Sequence, residues 1–134
     1  MTWHAMSRKR ILLAEDHDDF REVVAFALRD DGHEVLEVSR GDDLLHALMA
    51  LRDRDANLDL VISDLEMPGM SGLDALELAG GTFLSLPVVL MTGSVDPTLT
   101  RRAGRLEVGC IFRKPIDINA LRATAIALMS KPTV

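Results

Sequence analysis

The sequence predicts an α/β domain of the (βα)5 type, a five-stranded parallel sheet with helices on both faces. Three observations carry this. Short apolar runs recur along the chain, and stretches of helical period lie between them. No internal repeat, low-complexity segment or linker divides the chain. Its 134 residues fit a single domain, for which roughly 100–150 residues is the usual size.

The elements follow in order. Ile11–Ala14 is the first run and stops at Glu15 and Asp16. Phe20, Val23, Val24, Ala27 and Leu28 then fall on one face of a helix, and Gly32 stands where a glycine closes one. Glu34–Val38 is a weaker, more mixed second run. Leu44, Leu45, Leu48 and Leu51 mark the second helix, and Leu58–Ser63 is the third run. Ser71, with Asp74 three residues on, is a variant capping box for a third helix that carries Leu73 and Leu76 and stops at Gly80–Gly81. Pro87 opens the fourth run, Val88–Met91, and Asp96–Leu106 reads as a weakly apolar fourth helix. Val108–Phe112 is the fifth run; Asp117 caps a fifth helix with Ile118, Leu121, Ala125 and Leu128. Short β-branched runs with few charges suit strands buried on both faces. Regular alternation of strand and helix predicts that the strands are parallel.

Composition narrows the function classes. Lys and Arg number 15 against 21 Asp and Glu, a net charge of −6, and 48% of residues are hydrophobic. That is too apolar for intrinsic disorder, and the acidic balance argues against nucleic-acid binding by charge. Cys110 is the lone cysteine, so no internal disulfide or cysteine zinc site is expected, and a reducing, cytoplasmic setting fits. The apolar run behind Arg8, Lys9 and Arg10 is too short for a signal-peptide core or a membrane span. Residues 1–7 are expected to be an unstructured leader, with Met6 an alternative start, residues 8–130 the domain and 131–134 a tail.

Ligands of open parallel sheets bind beyond the carboxyl ends of the strands. Glu15 and Asp16 follow the first run, Asp64 the third and Lys114 the fifth, and Thr92 closes the fourth. Three converging carboxylates repel one another unless a cation intervenes. Mg2+ (or Mn2+) suits oxygen donors where phosphate is handled, and with Lys114 it balances the three negative charges. Asp64 can then attack phosphorus as a nucleophile, Thr92 can donate to the phosphoryl oxygens, and Gly93 leaves the backbone room. Taken singly, an Asp after a strand is more often a turn or cap residue, and a Lys-Pro pair is a common loop feature. It is the set that points to phosphoryl chemistry.

The segments Ile-Leu-Leu-Ala-Glu-Asp (11–16), Leu-Val-Ile-Ser-Asp-Leu-Glu-Met-Pro-Gly-Met-Ser-Gly (60–72), Val-Val-Leu-Met-Thr-Gly (88–93) and Phe-Arg-Lys-Pro (112–115) carry a resemblance. Over about residues 8–130 the chain resembles the response-regulator receiver domains of two-component signalling. The resemblance implies a flavodoxin-like fold with sheet order 2-1-3-4-5, and a phosphoryl group taken from a phosphohistidine on a histidine kinase or histidine phosphotransfer protein. Asp64 then matches the phosphoacceptor. Glu15 and Asp16 match the acidic pair that holds Mg2+, with Asp16 the more direct ligand and the backbone carbonyl of Glu66 a third. Thr92 and Lys114 match the hydroxyl and the lysine of the site, and the Lys114–Pro115 bond is expected to be cis. The resemblance further implies a downstream protein partner on the fourth helix, fifth strand and fifth helix. It describes a signalling acceptor, not an enzyme in its own right.

Departures and bystanders complete the reading. Ile111 stands where the family often has an aromatic partner for the threonine, and Phe112 should face the other way, since strand side chains alternate. Glu66 puts an acidic side chain near the acceptor, and Ser94 leaves water access, so both bear on phosphoryl lifetime. His17 reads as an exposed loop residue and Cys110 as a small core residue. Arg101, Arg102 and Arg105 read as a solvated face, with a partner surface as the alternative. Two other classes compete: an interaction module that works without phosphorylation, and an enzyme such as a phosphatase or a nucleotide- or flavin-binding protein of the same architecture. The first usually loses the acceptor or the lysine. The second needs a glycine-rich loop after the first strand, where this chain has Glu15–Asp19. The chain is expected to be either a stand-alone receiver or a segment of a longer protein such as a hybrid kinase.

Overall fold

The computed structural model describes residues 8–53, 57–80, 86–94, 96–106 and 108–130. The expected leader, the tail and Gly81 lie outside them. Ten elements alternate along the chain: β1 Arg10–Ala14, α1 Asp18–Asp30, β2 Glu34–Val38, α2 Gly41–Asp53, β3 Leu60–Asp64, α3 Gly72–Ala79, β4 Val88–Thr92, α4 Pro97–Arg105, β5 Cys110–Arg113 and α5 Ile118–Met129. All strand pairings are parallel, in the order β2-β1-β3-β4-β5. The chain steps from β1 outward to β2, then crosses back to β3 on the other side of β1. The crevice where ligands of such sheets bind therefore opens between the ends of β1 and β3.

Alternation of side chains divides the core. Leu12, Ala14, Val61, Val88 and Leu90 pack with Leu44 and Leu48 of α2, Leu73 and Leu76 of α3 and Ala103 of α4. Ile11, Leu13, Ile62, Val89 and Met91 pack with Val24 and Leu28 of α1 and Leu121, Ala125 and Met129 of α5. Each fully buried Leu or Ile contributes about 1.5–3 kcal/mol of transfer free energy. Burial on both faces holds for β3 and β4 throughout. It fails at the edges: only Val35 of β2 is buried, and no residue of β5 is fully so. An edge strand has a neighbour on one side only.

Caps fall where the side chains predict them. Ser71, Asp96 and Asp117 each accept the backbone N–H three residues on, which satisfies one orphan donor of each helix. Gly32 and Gly80, just past α1 and α3, have positive φ. Most strand ends fall within a residue of expectation, and two strand starts differ by two residues. β3 starts at Leu60, just after Asp59, whose N–H donates to Arg10 O at 2.9 Å and whose carboxylate accepts the Arg10 N–H at 2.8 Å. β5 starts at Cys110 and runs to Arg113; Val108 instead packs beneath the sheet beside α4.

Asp31 caps the carboxyl end of α1, where a negative charge opposes the helix dipole. Arg122 of α5 answers it with two hydrogen bonds, at 2.6 and 2.9 Å. That hydrogen bonding holds the Asp31 carboxyl below its ordinary value. A depressed carboxyl contributes stability that is present above the unfolded value and lost as pH falls through the folded one. Arg122→Gln should therefore lower the melting temperature at pH 7, and the gap from wild type should close as pH falls below 4. A gap of constant size across that range, followed by thermal melts, would separate lost packing from lost charge.

Candidate functional site

The ends of four strands deliver the site. Glu15 follows β1, and its N–H donates to Val38 O of β2 at 3.0 Å. Asp64 ends β3, and the next N–H, of Leu65, donates to Met91 O of β4 at 2.9 Å. Lys114 follows β5, and its N–H donates to Thr92 O at 2.7 Å. These ladder bonds fix where each side chain leaves the sheet.

Glu15 is fully buried and Asp64 is 3% exposed. Lys114 Nζ lies 2.7 Å from Asp64 Oδ2 and 3.2 Å from Glu15 Oε1. The remaining oxygens are also engaged: Glu66 N–H donates to Asp64 Oδ1 at 3.1 Å, and His17 N–H to Glu15 Oε2 at 3.0 Å. Burial, reinforced by the Asp64 charge, raises the Glu15 carboxyl above its ordinary value against the opposing His17 N–H and Lys114. Burial pulls the Lys114 ammonium down, but its bond to Asp64 and the charges of Asp64 and Glu15 outweigh this and raise it.

Asp16 is exposed, and a carboxylate oxygen from each of Glu15, Asp16 and Asp64 lies within 4.8 Å of the others. Three hard oxygen donors at that spacing suit a divalent cation such as Mg2+. With Lys114 already present the cluster keeps a net charge of −2, so a divalent cation would neutralise it.

Thr92 is almost fully buried. Its hydroxyl donates to Ser94 O at 2.8 Å and accepts the Ser94 N–H at 3.1 Å, so it is closed on its own loop. Ile111 packs on the α2–α3–α4 side of the sheet and Phe112 on the α1–α5 side, as alternation requires. The Lys114–Pro115 bond is cis. His17 is exposed and caps α1, its Nδ1 accepting the Phe20 N–H. Burial pushes the Cys110 thiol up, away from the reactive thiolate.

The arginine cluster of α4 needs correcting. Arg102 is partly exposed but is not free in solvent. It donates to Glu77 at 2.5 and 3.1 Å and to Asp74 at 2.7 Å, tying α4 to α3. Arg101 and Arg105 are exposed. Sequence reasoning also missed Phe20, whose ring centre lies 5.5 Å from Lys114 Nζ, within cation–π range. It missed Arg21, which donates to Glu15 O at 2.9 Å and pairs with Asp18 and Glu37. Phe20 carried only the signal of a core position, and Arg21 carried none.

The family model described as "response regulator receiver domain" matches residues 11–126. The chain is 36% identical over 111 residues to the sensory/regulatory protein RpfC of Xanthomonas campestris, covering 80% of this chain and 15% of that protein. It is 37% identical over 114 residues to the response regulator protein FleR of Pseudomonas aeruginosa, covering 84% of this chain and 23% of that one. The chain thus spans less than a quarter of the length of these two relatives. The receiver domain of HemR from Leptospira biflexa superposes with a TM-score of 0.83 at 22% identity, over 95% of this chain and 98% of that one. At that identity the likeness bears on the fold alone.

Gly72, the first residue of α3, abuts the strand that carries Asp64. An added Cβ would stand 2.2 Å from Asp64 O and 2.5 Å from Ser63 Oγ. Gly72→Ala should therefore cost about 1–3 kcal/mol. Gly104→Ala, where nothing lies within 4 Å, should instead gain about 0.4–1 kcal/mol, in line with helix propensity and the lower entropy of the unfolded chain. Urea unfolding of both variants checks the contrast.

Proposed function

The chain belongs to the response-regulator receiver domain family, and from that premise we propose that it is a phosphoacceptor that takes a phosphoryl group from a phosphohistidine partner onto Asp64. One observation carries the reading: Lys114 bridges Asp64 and Glu15 while Asp16 stands open beside them. A module that signals without phosphorylation has no need of a buried acid pair held by a lysine.

Glu15, Asp16, Asp64 and the backbone carbonyl of Glu66 would hold Mg2+. When bound, the ion supplies positive charge against the phosphoryl oxygens. In the transfer a carboxylate oxygen of Asp64 bonds to phosphorus as the phosphorus–nitrogen bond breaks, and the histidine nitrogen keeps the electron pair. Lys114 meets the charge that develops on the phosphoryl oxygens. The Thr92 hydroxyl, released from Ser94, is the next donor within the site. Glu66 is exposed, and its Oε1 would lie 3.9 Å from a Cβ placed on Gly93. Its charge faces the mouth of the site, where it bears on phosphoryl lifetime. The domain acts as a signalling acceptor, helping only its own phosphorylation and hydrolysis.

Two surfaces serve partners. On α1, Val23 and Phe26 are 52% and 73% exposed, and with Asp19 and Glu22 they line a shallow hollow. We place the histidine kinase or phosphotransfer protein there, since α1 begins directly beside Asp16. A downstream protein would read α4, β5 and α5, where Arg101, Arg105, Arg113 and Ile126 are exposed. No helix among the described residues is long and apolar enough to cross a membrane. A cytoplasmic place of action accords with the single, partly buried cysteine.

Intact-protein mass after incubation with acetyl phosphate should show one added phosphoryl group that depends on Mg2+. Asp64→Asn should fold and gain none; equal uptake by that variant would remove Asp64 as acceptor. Phe26→Asp should slow transfer from a phosphohistidine protein donor by about tenfold, the effect of losing a contact residue worth more than 1 kcal/mol. Uptake from acetyl phosphate should be unchanged in that variant, because the small donor needs no docking face.

A further inference from the structure

We propose that Gly41, at the start of α2, is a positioning residue for the loop of residues 65–71, and through that loop for Asp64 and the cation it shares; this inference rests on the functional reading above. The loop joins Asp64 to α3. On its inner side the Glu66 N–H donates to Asp64 Oδ1 at 3.1 Å, and at its far end the Gly72 N–H donates to Leu65 O at 3.1 Å. On its outer side it rests on the turn between β2 and α2.

That contact is backbone on backbone. A Cβ added to Gly41 would lie 1.7 Å from Met70 O, 2.4 Å from Met70 C and 3.0 Å from Met70 Cβ. Ordinary contact begins at 3.4 Å, so even one methyl group demands a displacement of about 1.7 Å (3.4 − 1.7). Neighbouring residues repeat the approach. A Cβ on Gly69, whose φ is +78°, would lie 2.7 Å from Arg40 Nη2 and 3.4 Å from Asp42 Oδ1. Arg40 Nε in turn donates to Asp42 Oδ1 at 3.1 Å.

Leu44 and Leu48 of α2 are locked in the core, and Leu65 and Met67 anchor the loop in the same cluster, so neither side absorbs the misfit alone. The loop's share of it passes along the backbone from Met70 toward Glu66. That displacement reaches the Glu66 N–H, which fixes one oxygen of Asp64, and the Glu66 carbonyl beside it. A constellation of this kind tolerates errors of about 0.5 Å. The absent side chain at position 41 thus sets the geometry of a site whose residues Gly41 never touches.

The test is Mg2+ affinity, measured by titration calorimetry on wild type, Gly41→Ala and Gly104→Ala, with the Glu66 amide followed by NMR and unfolding followed in urea. Wild type and Gly104→Ala should bind alike. Gly41→Ala should fold, bind Mg2+ about tenfold more weakly, the scale of loss at outer-shell supports, and show a displaced Glu66 amide resonance. Should Gly41→Ala fail to fold, Arg40→Ala takes its place. It removes the side chain that lies against Gly69 without adding atoms, and should weaken Mg2+ binding by more than about twofold with faster exchange of the Glu66 amide. A folded Gly41→Ala, or in its place Arg40→Ala, that binds Mg2+ within about twofold of wild type overturns the inference, because a merely structural role lowers stability and leaves affinity alone. Wild-type protein that binds no Mg2+ overturns the functional reading, and this inference with it.

Discussion

The Lys114 ammonium between two buried carboxylates is the interaction on which the rest depends. Removing a carboxylate from water costs several kcal/mol even after relaxation, and here Glu15 and Asp64 are buried side by side. The ammonium between them offsets part of that cost, with a contact to each at 3.2 and 2.7 Å. Lys114 reaches them because β5 pairs with β4 and its backbone is clasped to Thr92 O. The Phe20 ring lies within cation–π range of the ammonium. The side chain of Lys114 is 29% exposed, which leaves the ammonium a way to follow an incoming anion. The balance is deliberately incomplete: three carboxylates against one ammonium favour a further cation at the exposed Asp16.

The interior of the sheet was legible because interior parallel strands read as continuous apolar runs, and a polar residue at the end of such a run stands out. Ile11–Ala14, Leu60–Ile62 and Val88–Met91 gave that signal, and Glu15, Asp16, Asp64 and Thr92 follow or close them. The edges were less legible. β5 begins two residues later than its apolar run because Val108 is drawn beneath the sheet, and it ends on a charged residue, Arg113. Periodicity also says nothing of contacts between distant elements. Arg102 looks like a solvated residue from α4 alone; its partners Asp74 and Glu77 lie 28 and 25 residues earlier. Arg21 on the Glu15 carbonyl and Gly41 against Met70 were invisible for the same reason.

Glycine shapes the site as much as its charged residues do. Gly72 lets α3 start directly on the Asp64 carbonyl, and Gly41 lets α2 start directly on the Met70 carbonyl. Both sit at helix starts, where a glycine costs less than in a helix interior. Two helices are thereby brought against the loop that carries Glu66, and that loop inherits their rigidity. Leu44 and Leu76 extend it into the core, where each is fully buried.

The α4 side is held differently. Of that helix only Ala103 is fully buried, with Leu99 and Leu106 partly so. Apolar burial therefore anchors α4 far less than α3, which buries Leu73, Ala75, Leu76 and Ala79. Arg102 adds a fork of hydrogen bonds to two carboxylates on α3. Exposed pairs of this kind contribute about 0–1 kcal/mol each, small beside the core but not beside the little apolar surface α4 buries. In the register of β4 and β5, Ile111 stands opposite Leu90 and Arg113 opposite Thr92, so no aromatic ring of β5 pairs with the strand position of the Thr92 hydroxyl. The polar contacts that tie α4 to the rest run instead through α3, the helix whose first residue rests on Asp64.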